Sequence, residues 1–300
     1  MNDLAPYLER IPMFQNTALQ GLRTERLGGL TNLVYRVELA GVSYLLRIPG
    51  KGTQDYIDRG VEAHDAQVAA EAGVSAPVLF FDANDGLMLA EYIEGTTLDV
   101  KGFKNLGCVS RSAIALKRMH QHSQRFRTRF DVFEKIDEFL KLLEELDAPL
   151  PDGYEQVHRE AVEVRRVLKA KPTALAPCHC DPLAENFIDN GEQVFIVDWE
   201  YAGNNDPMWD LGDLSVEAEF SAEQDAVLLD AYFEGEAPAD QHGRMIMYKM
   251  LCDLLWTLWG IVQFANDNPA EDFWAYSVNR YQRCRLLMED PEFGRHLRAI

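Results

Sequence analysis

Residues 178–203 read Cys178-His179-Cys180-Asp181-Pro182-Leu183-Ala184-Glu185-Asn186-Phe187-Ile188-Asp189-Asn190-Gly191-Glu192-Gln193-Val194-Phe195-Ile196-Val197-Asp198-Trp199-Glu200-Tyr201-Ala202-Gly203. Asp189-Asn190-Gly191 is turn chemistry, because Asn and Gly tolerate the positive φ that tight hairpins need. Asn186 and Asp198 are therefore expected at the outer ends of two short paired strands, with Asp181 on the loop leading in. Three oxygen-bearing side chains then converge on one small volume. One carboxylate can take a proton from a hydroxyl. An amide and a second carboxylate can hold Mg²⁺, a hard cation that prefers oxygen. Such a set suits phosphoryl transfer, where positioning and charge neutralisation carry most of the catalysis.

The rest of the composition is compatible with that chemistry. The chain has 300 residues, 47% of them apolar and 26% charged, as in a soluble globular protein with ample core. A formal net charge of -20 argues against nucleic acid and against anionic lipid as partners, and is compatible with a cationic substrate. The five cysteines are scattered without a C-x-x-C pair, which suggests free thiols in a reducing compartment. Cys178-His179-Cys180 is not expected to bind zinc, since neighbouring residues cannot easily wrap a tetrahedral ion and no second ligand pair follows. Asn2, Asp3, Glu9 and Arg10 break any secretory h-region. The apolar stretch 245–265 carries Lys249, Asp253 and Gln263, so a buried helix is expected there rather than a membrane span. A cytoplasmic location is the corresponding expectation.

Upstream, the texture is β-rich. Residues 26–32 form a glycine-containing turn, followed by expected strands at 34–39 and 42–48 and a turn at Ala40-Gly41. Such a strand-turn-strand unit can offer backbone N–H groups to phosphates. A helix is predicted over 61–72, closed by Gly73, with Glu62 in its first turn. Strands are expected at 78–82 and 87–92. By position alone, Arg47 reads as a surface arginine or a fork on phosphate, and Glu62 as a dipole-favourable surface acid. From residue 94 on, the pattern is helical: 105–122, a helix capped by Asp131, a stripe of Val157, Ala161, Val164 and Leu168, a capping box at Ser221–Gln224, and two long helices near 240–266 and 271–289. This change of texture divides the chain into 1–93 and 94–300.

Several motifs now agree. The chain resembles the choline/ethanolamine kinase family, within the wider group that includes aminoglycoside phosphotransferases. The resemblance rests on H-C-D-P-L-A-E-N, I-V-D-W-E-Y-A-G and D-P-M-W-D-L-G-D-L. It is supported in order by L-G-G-L-T-N, Y-L-L-R, the helix with Glu62, and W-T-L-W-G-I-V-Q. It implies an α+β, protein-kinase-like bilobal fold, with a small antiparallel β-sheet N-lobe that binds nucleotide and a mostly helical C-lobe. It implies ATP and Mg²⁺ as cofactors, Asp181 as catalytic base, and Asn186 and Asp198 as metal ligands. Arg47 matches the phosphate-binding basic residue of the third strand, and Glu62 its ion-pair partner. Gly28, Gly29, Thr31 and Asn32 match the loop over the nucleotide, and Glu91 to Ile93 the hinge beside adenine. The loop is not G-x-G-x-x-G, and no A-P-E segment follows Asp198, which disfavours a peptide substrate.

For the acceptor, Trp256 and Trp259 are i, i+3 on one helix, and Asp206, Asp210, Asp213, Glu217 and Glu219 crowd the segment after Asp198. Aromatic faces with carboxylates suit a quaternary ammonium, although such residues are more often core and solvated surface. In the family, the positions of Trp256, Trp259 and Glu217 contribute to the choline pocket. Tyr201 and Phe220 are added as walls, and Glu200 as a metal-side or loop-holding acid. A cationic amino alcohol is the expected substrate, choline ahead of ethanolamine. Aminoglycosides, thiamine and a non-catalytic nucleotide-binding module are the alternatives.

Overall fold

The computed structural model describes residues 4–15, 22–28, 32–50 and 57–300. Its N-terminal part is an antiparallel five-stranded sheet, ordered β1-β2-β3-β5-β4. The strands are β1 (Arg23–Gly28), β2 (Leu33–Leu39), β3 (Val42–Ile48), β4 (Val78–Asp82) and β5 (Leu87–Glu91). The short helix α1 (Ala5–Leu8) and the turn after it bring Leu8, Ile11 and Phe14 onto one sheet face, against Val37, Leu46, Leu87 and Leu89. Period-two alternation puts Arg47 on the opposite face of β3 from Leu46. On that side lies α2 (Arg59–Glu71), which starts two residues earlier than the sequence pattern predicts because Asp58 caps the Gly60 and Val61 amides.

The larger, helical lobe follows. It contains β6 (Thr96–Thr97), α3 (Leu106–His120), α4 (Val132–Glu145), α5 (Tyr154–Ala170), β7 (Ala176–Cys178), β8 (Phe187–Asp189), β9 (Val194–Ile196) and β10 (Gly203–Asn205). It ends with α6 (Pro207–Glu217), α7 (Ala222–Phe233), α8 (Ala239–Ala265), α9 (Phe273–Glu289) and α10 (Phe293–Ala299). Asp131 caps α4, and the Ser221–Gln224 capping box opens α7, as expected. Val157, Ala161, Val164 and Leu168 are all buried along α5. α8 is long and apolar enough to cross a membrane, but 83% of its apolar window is buried inside the protein. It is the central helix of the lobe. α6 crosses it so closely at Gly212 that a Cβ there would lie 2.9 Å from the Met245 carbonyl oxygen.

Candidate active site

The hairpin forms where its turn residues place it. β8 pairs antiparallel with β9, and Gly191 takes φ +90° between them. The Val197 N–H donates to the Asn186 carbonyl (2.9 Å), so the ladder extends past the strands and sets Asn186 beside the residue preceding Asp198. The Asn186 side chain donates through Nδ2 to the Asp181 carbonyl at 3.1 Å. This leaves its Oδ1 without a protein donor among the described residues.

Both halves of the site are braced from below. Asp210, in the first turn of α6, accepts from the His179 N–H (2.7 Å) and the Cys180 N–H (2.9 Å), and is itself held by His120 Nε2 (3.0 Å). His179 donates from Nε2 to the Val197 carbonyl at 2.9 Å and accepts the Asp181 N–H at Nδ1 at 3.4 Å. Burial lowers its pKa, so it is a neutral strut between the two carboxylate-bearing segments. Trp199 closes the second segment: its ring meets His179 at 4.8 Å, and its Nε1 donates to the Ile196 carbonyl at 3.2 Å. Cys180 and Asp198 adopt left-handed φ values of 67° and 69°, costly for non-glycine residues and held by this bracing. All five cysteines are free and buried, and burial raises the Cys178 and Cys180 thiols well above their ordinary range.

On the nucleotide side, Arg47 and Glu62 are not surface groups: they are 5% and 2% exposed and form an ion pair. Arg47 also reaches Asp198 at 3.6 Å. A second arginine, Arg59, binds the other Glu62 oxygen at 2.6 Å and Glu200 at 3.3 Å. Asn32 donates to Glu200 at 3.4 Å and accepts the Gly50 N–H at 3.3 Å. Carboxylate oxygens of Glu62, Asp198 and Glu200 all lie within 4.8 Å of one another. Glu200 therefore stands in one carboxylate cluster with Glu62 and Asp198. The buried Oδ1 of Asp198 accepts no hydrogen bond; it and Asn186 Oδ1 are hard oxygen donors of the kind Mg²⁺ prefers. Gly28 ends β1 opposite Val34, whereas Gly29 and Thr31 lie outside the described residues. At the hinge, the Glu91 N–H bonds to the Pro77 carbonyl (3.0 Å), while the Ile93 N–H meets no acceptor among the described residues.

On the opposite side, α6 and α8 face each other through Asp213, Glu217 and Cys252, with the Cys252 thiol donating to Asp213 at 3.1 Å. Trp256 and Trp259 follow on the same stretch of α8 as an edge-to-face pair, ring centroids 5.7 Å apart, with Trp259 against Phe273 and Tyr276. Glu217 is gripped bidentately by Arg280 (2.6 and 2.8 Å), which also bonds Asp253 and lies over the Tyr276 ring. Phe220 meets Phe103 at 5.2 Å, and Phe103 meets Phe187, so Phe220 packs behind the hairpin. No ring contact joins it to either tryptophan among the described residues. Tyr201 is 39% exposed beside Glu200. Of the acids after Asp198, Asp206 is committed to Arg244 and Tyr248, and Asp210 to the loop backbone. Asp181 sits between the two groups. Burial, then the charges of Glu217, Asp198 and Glu200, push its carboxyl up to about 8.

Sequence reasoning missed Arg59 and Arg280, and counted Asp210 among the clustered acids without its loop-bracing role. Arg59 alone left a local signal, its i, i+3 spacing to Glu62.

Residues 24–229 match the family model for choline/ethanolamine kinase. The crystal structure of a choline/ethanolamine kinase family protein from Mesorhizobium loti superposes with a TM-score of 0.91 at 50% identity, covering 99% of this chain and 98% of that one. The choline kinase LicA from Streptococcus pneumoniae gives 0.72 at 30% identity, covering 89% of this chain and 93% of that one. By sequence, the LicA protein of Haemophilus influenzae is 29% identical over 271 residues, 88% of this chain and 79% of the relative. An aminoglycoside phosphotransferase shares the fold at 15% identity, with a TM-score of 0.68 over 98% of this chain and 99% of that one. The matched residues 24–229 include the segments that build the site just described, and the chain belongs to the choline/ethanolamine kinase family.

Proposed function

We propose that the protein transfers the γ-phosphoryl group of ATP to the hydroxyl of choline, with Mg²⁺ as cofactor and Asp181 as base. Membership in the family makes the chain a phosphotransferase with an alcohol acceptor. The observation that carries the finer reading is the charge state of the site. Asp181 is held protonated by its own burial and by carboxylates on both sides. Such a site favours cations twice over: a metal at Asn186 and Asp198, and an ammonium near Glu217. Either one lowers the cost of ionising Asp181, so the base becomes competent as the substrates arrive. Bound Mg²⁺ would supply neutralisation of the phosphate oxygens. Arg47, fixed by Glu62, and the loop through Asn32 orient the phosphates, and Ile93 offers its N–H to adenine. Asp181 aligns the acceptor hydroxyl for in-line attack and takes its proton.

Choline is preferred over ethanolamine because a quaternary ammonium donates no hydrogen bond and is best met by ring faces, which Trp256 and Trp259 supply at right angles. Ethanolamine is the second reading: Asp213 Oδ2 is buried without a hydrogen-bond donor and would suit a primary ammonium. A coupled ADP-release assay over choline, ethanolamine, thiamine and kanamycin separates these. Choline is expected to give the highest kcat/KM, and Trp256→Ala to raise its KM far more than that of ATP. A higher kcat/KM for ethanolamine would establish the second reading, and no turnover on any acceptor would refute catalysis. The lobe boundary after Ile93 and a cytoplasmic location complete the proposal.

A further inference from the structure

The charge of the molecule is strongly negative, with 49 acidic and 29 basic side chains, yet one surface runs against that balance. In Arg125-Phe126-Arg127-Thr128-Arg129-Phe130 the three arginines are all exposed and line one hollow, while the Phe126 and Phe130 rings turn inward. The inward side is anchored. Phe126 packs on Trp199 with ring centroids 5.9 Å apart, and Phe130 on Trp209 at 5.2 Å. The backbone is stitched to β10: the Asn204 N–H donates to the Thr128 carbonyl (2.9 Å), the Phe130 N–H to the Asn204 carbonyl (3.2 Å), and Asn204 Nδ2 to the Phe126 carbonyl (2.7 Å). The arginines are therefore presented by a fixed backbone, and they line a concave cavity of about 370 Å³ with Thr128, Leu175 and Asn204.

Their charge is only partly compensated. Arg129 pairs with Asp131 at 3.1 Å, Arg127 donates to the Gly60 carbonyl at 3.1 Å, and Arg125 makes no hydrogen bond or ion pair among the described residues. Three guanidinium groups around one hollow repel each other unless an anion sits between them, and their planar forks match the oxygens of a phosphate group. We propose that this cavity binds the phosphate group of a small soluble phosphate ester. A soluble ligand fits better than a membrane headgroup, because the net charge of -20 opposes approach to an anionic bilayer. Arg127 also borders a second, separate hollow shared with α2 and β4. The active site is not part of it, since none of Asp181, Asn186 or Asp198 lines either hollow.

Glycerol 3-phosphate is the probe, titrated calorimetrically and by thermal shift into the protein saturated with Mg·ADP, with sodium chloride at equal ionic strength as control. Wild type is expected to bind and to gain Tm. Arg125→Gln/Arg129→Gln is expected to bind at least tenfold more weakly while keeping its phosphotransfer rate, and Arg125→Gln alone to be intermediate. Equal binding by wild type and the double variant would overturn the proposal, as would a response matched by sodium chloride. Sedimentation with phosphatidylglycerol vesicles in the absence of any response to glycerol 3-phosphate would overturn it too.

Discussion

Asp181 occupies a position whose chemistry and stability oppose each other. Its folded pKa, raised from 3.8 to about 8, means that folding takes up a proton between those values. Stability therefore falls as pH rises through that window, with the full penalty present above the folded value. Asp181→Asn is expected to match wild type in urea denaturation near pH 4 and to exceed it by a widening margin up to pH 8. The same shift sets activity. kcat/KM reports the free enzyme, so it should climb with pH until about 8, whereas kcat, measured with cations bound, should level off at lower pH. A kcat/KM flat from pH 6 to 9 would remove Asp181 from the role of base. Glu62 obeys a different rule, because it lies between two buried arginines, Arg47 and Arg59. Glu62→Ala leaves both without their shared counter-charge and is expected to cost roughly 3–5 kcal/mol in equilibrium unfolding, and to raise KM for ATP.

Elements repeat the pattern of local sense and distant surprise. α6 must serve two masters: its first turn holds the catalytic loop through Asp210, and its middle presses on α8 at Gly212. Gly212→Ala sets a methyl against the Met245 carbonyl and the Lys249 amide, neither of which can yield, and should destabilise by about 1–3 kcal/mol in a denaturant titration. If α6 carries Asp210 with it as it shifts, kcat falls as well. The hairpin, the bounds of β3 and β4, the Asp131 cap and the Ser221 box were legible because each is written in a few adjacent residues. β7 and β10 were not, since three-residue strands carry no periodicity and exist through each other, Cys178 pairing with Gly203 and Ala176 with Asn205. The acids after Asp198 were legible as a cluster but not by role. Whether each faces backbone, arginine or pocket depends on partners such as Arg244 and Arg280, the latter 63 residues from Glu217. Arg59 was lost in a stretch that reads as polar loop, because one cap residue moves the start of α2 by two positions.

At the scale of the whole molecule, the net charge of -20 would act with opposite sign on the two substrates proposed above. A cationic acceptor is drawn towards the protein and Mg·ATP, an anion, is held off, and both effects reach roughly as far as the Debye length. The burial of Arg47 and Arg59 sharpens this, because their charges are spent on Glu62 and Glu200 and project little positive field outward. Raising ionic strength from about 0.05 M to about 0.5 M shortens the screening length from about 14 Å to about 4 Å. We expect kcat/KM for choline to fall several-fold over that range and kcat/KM for Mg·ATP to hold or rise. The neutral isostere 3,3-dimethylbutan-1-ol keeps the shape of choline without its charge, so its kcat/KM should not respond. An equal fall for the isostere would mean that salt acts on the fold or on the nucleotide, and that long-range charge has no part in choosing the acceptor. Insensitivity of the isostere, with choline falling, would assign the acidic surface a kinetic role that reaches well beyond Glu217 and the two tryptophans.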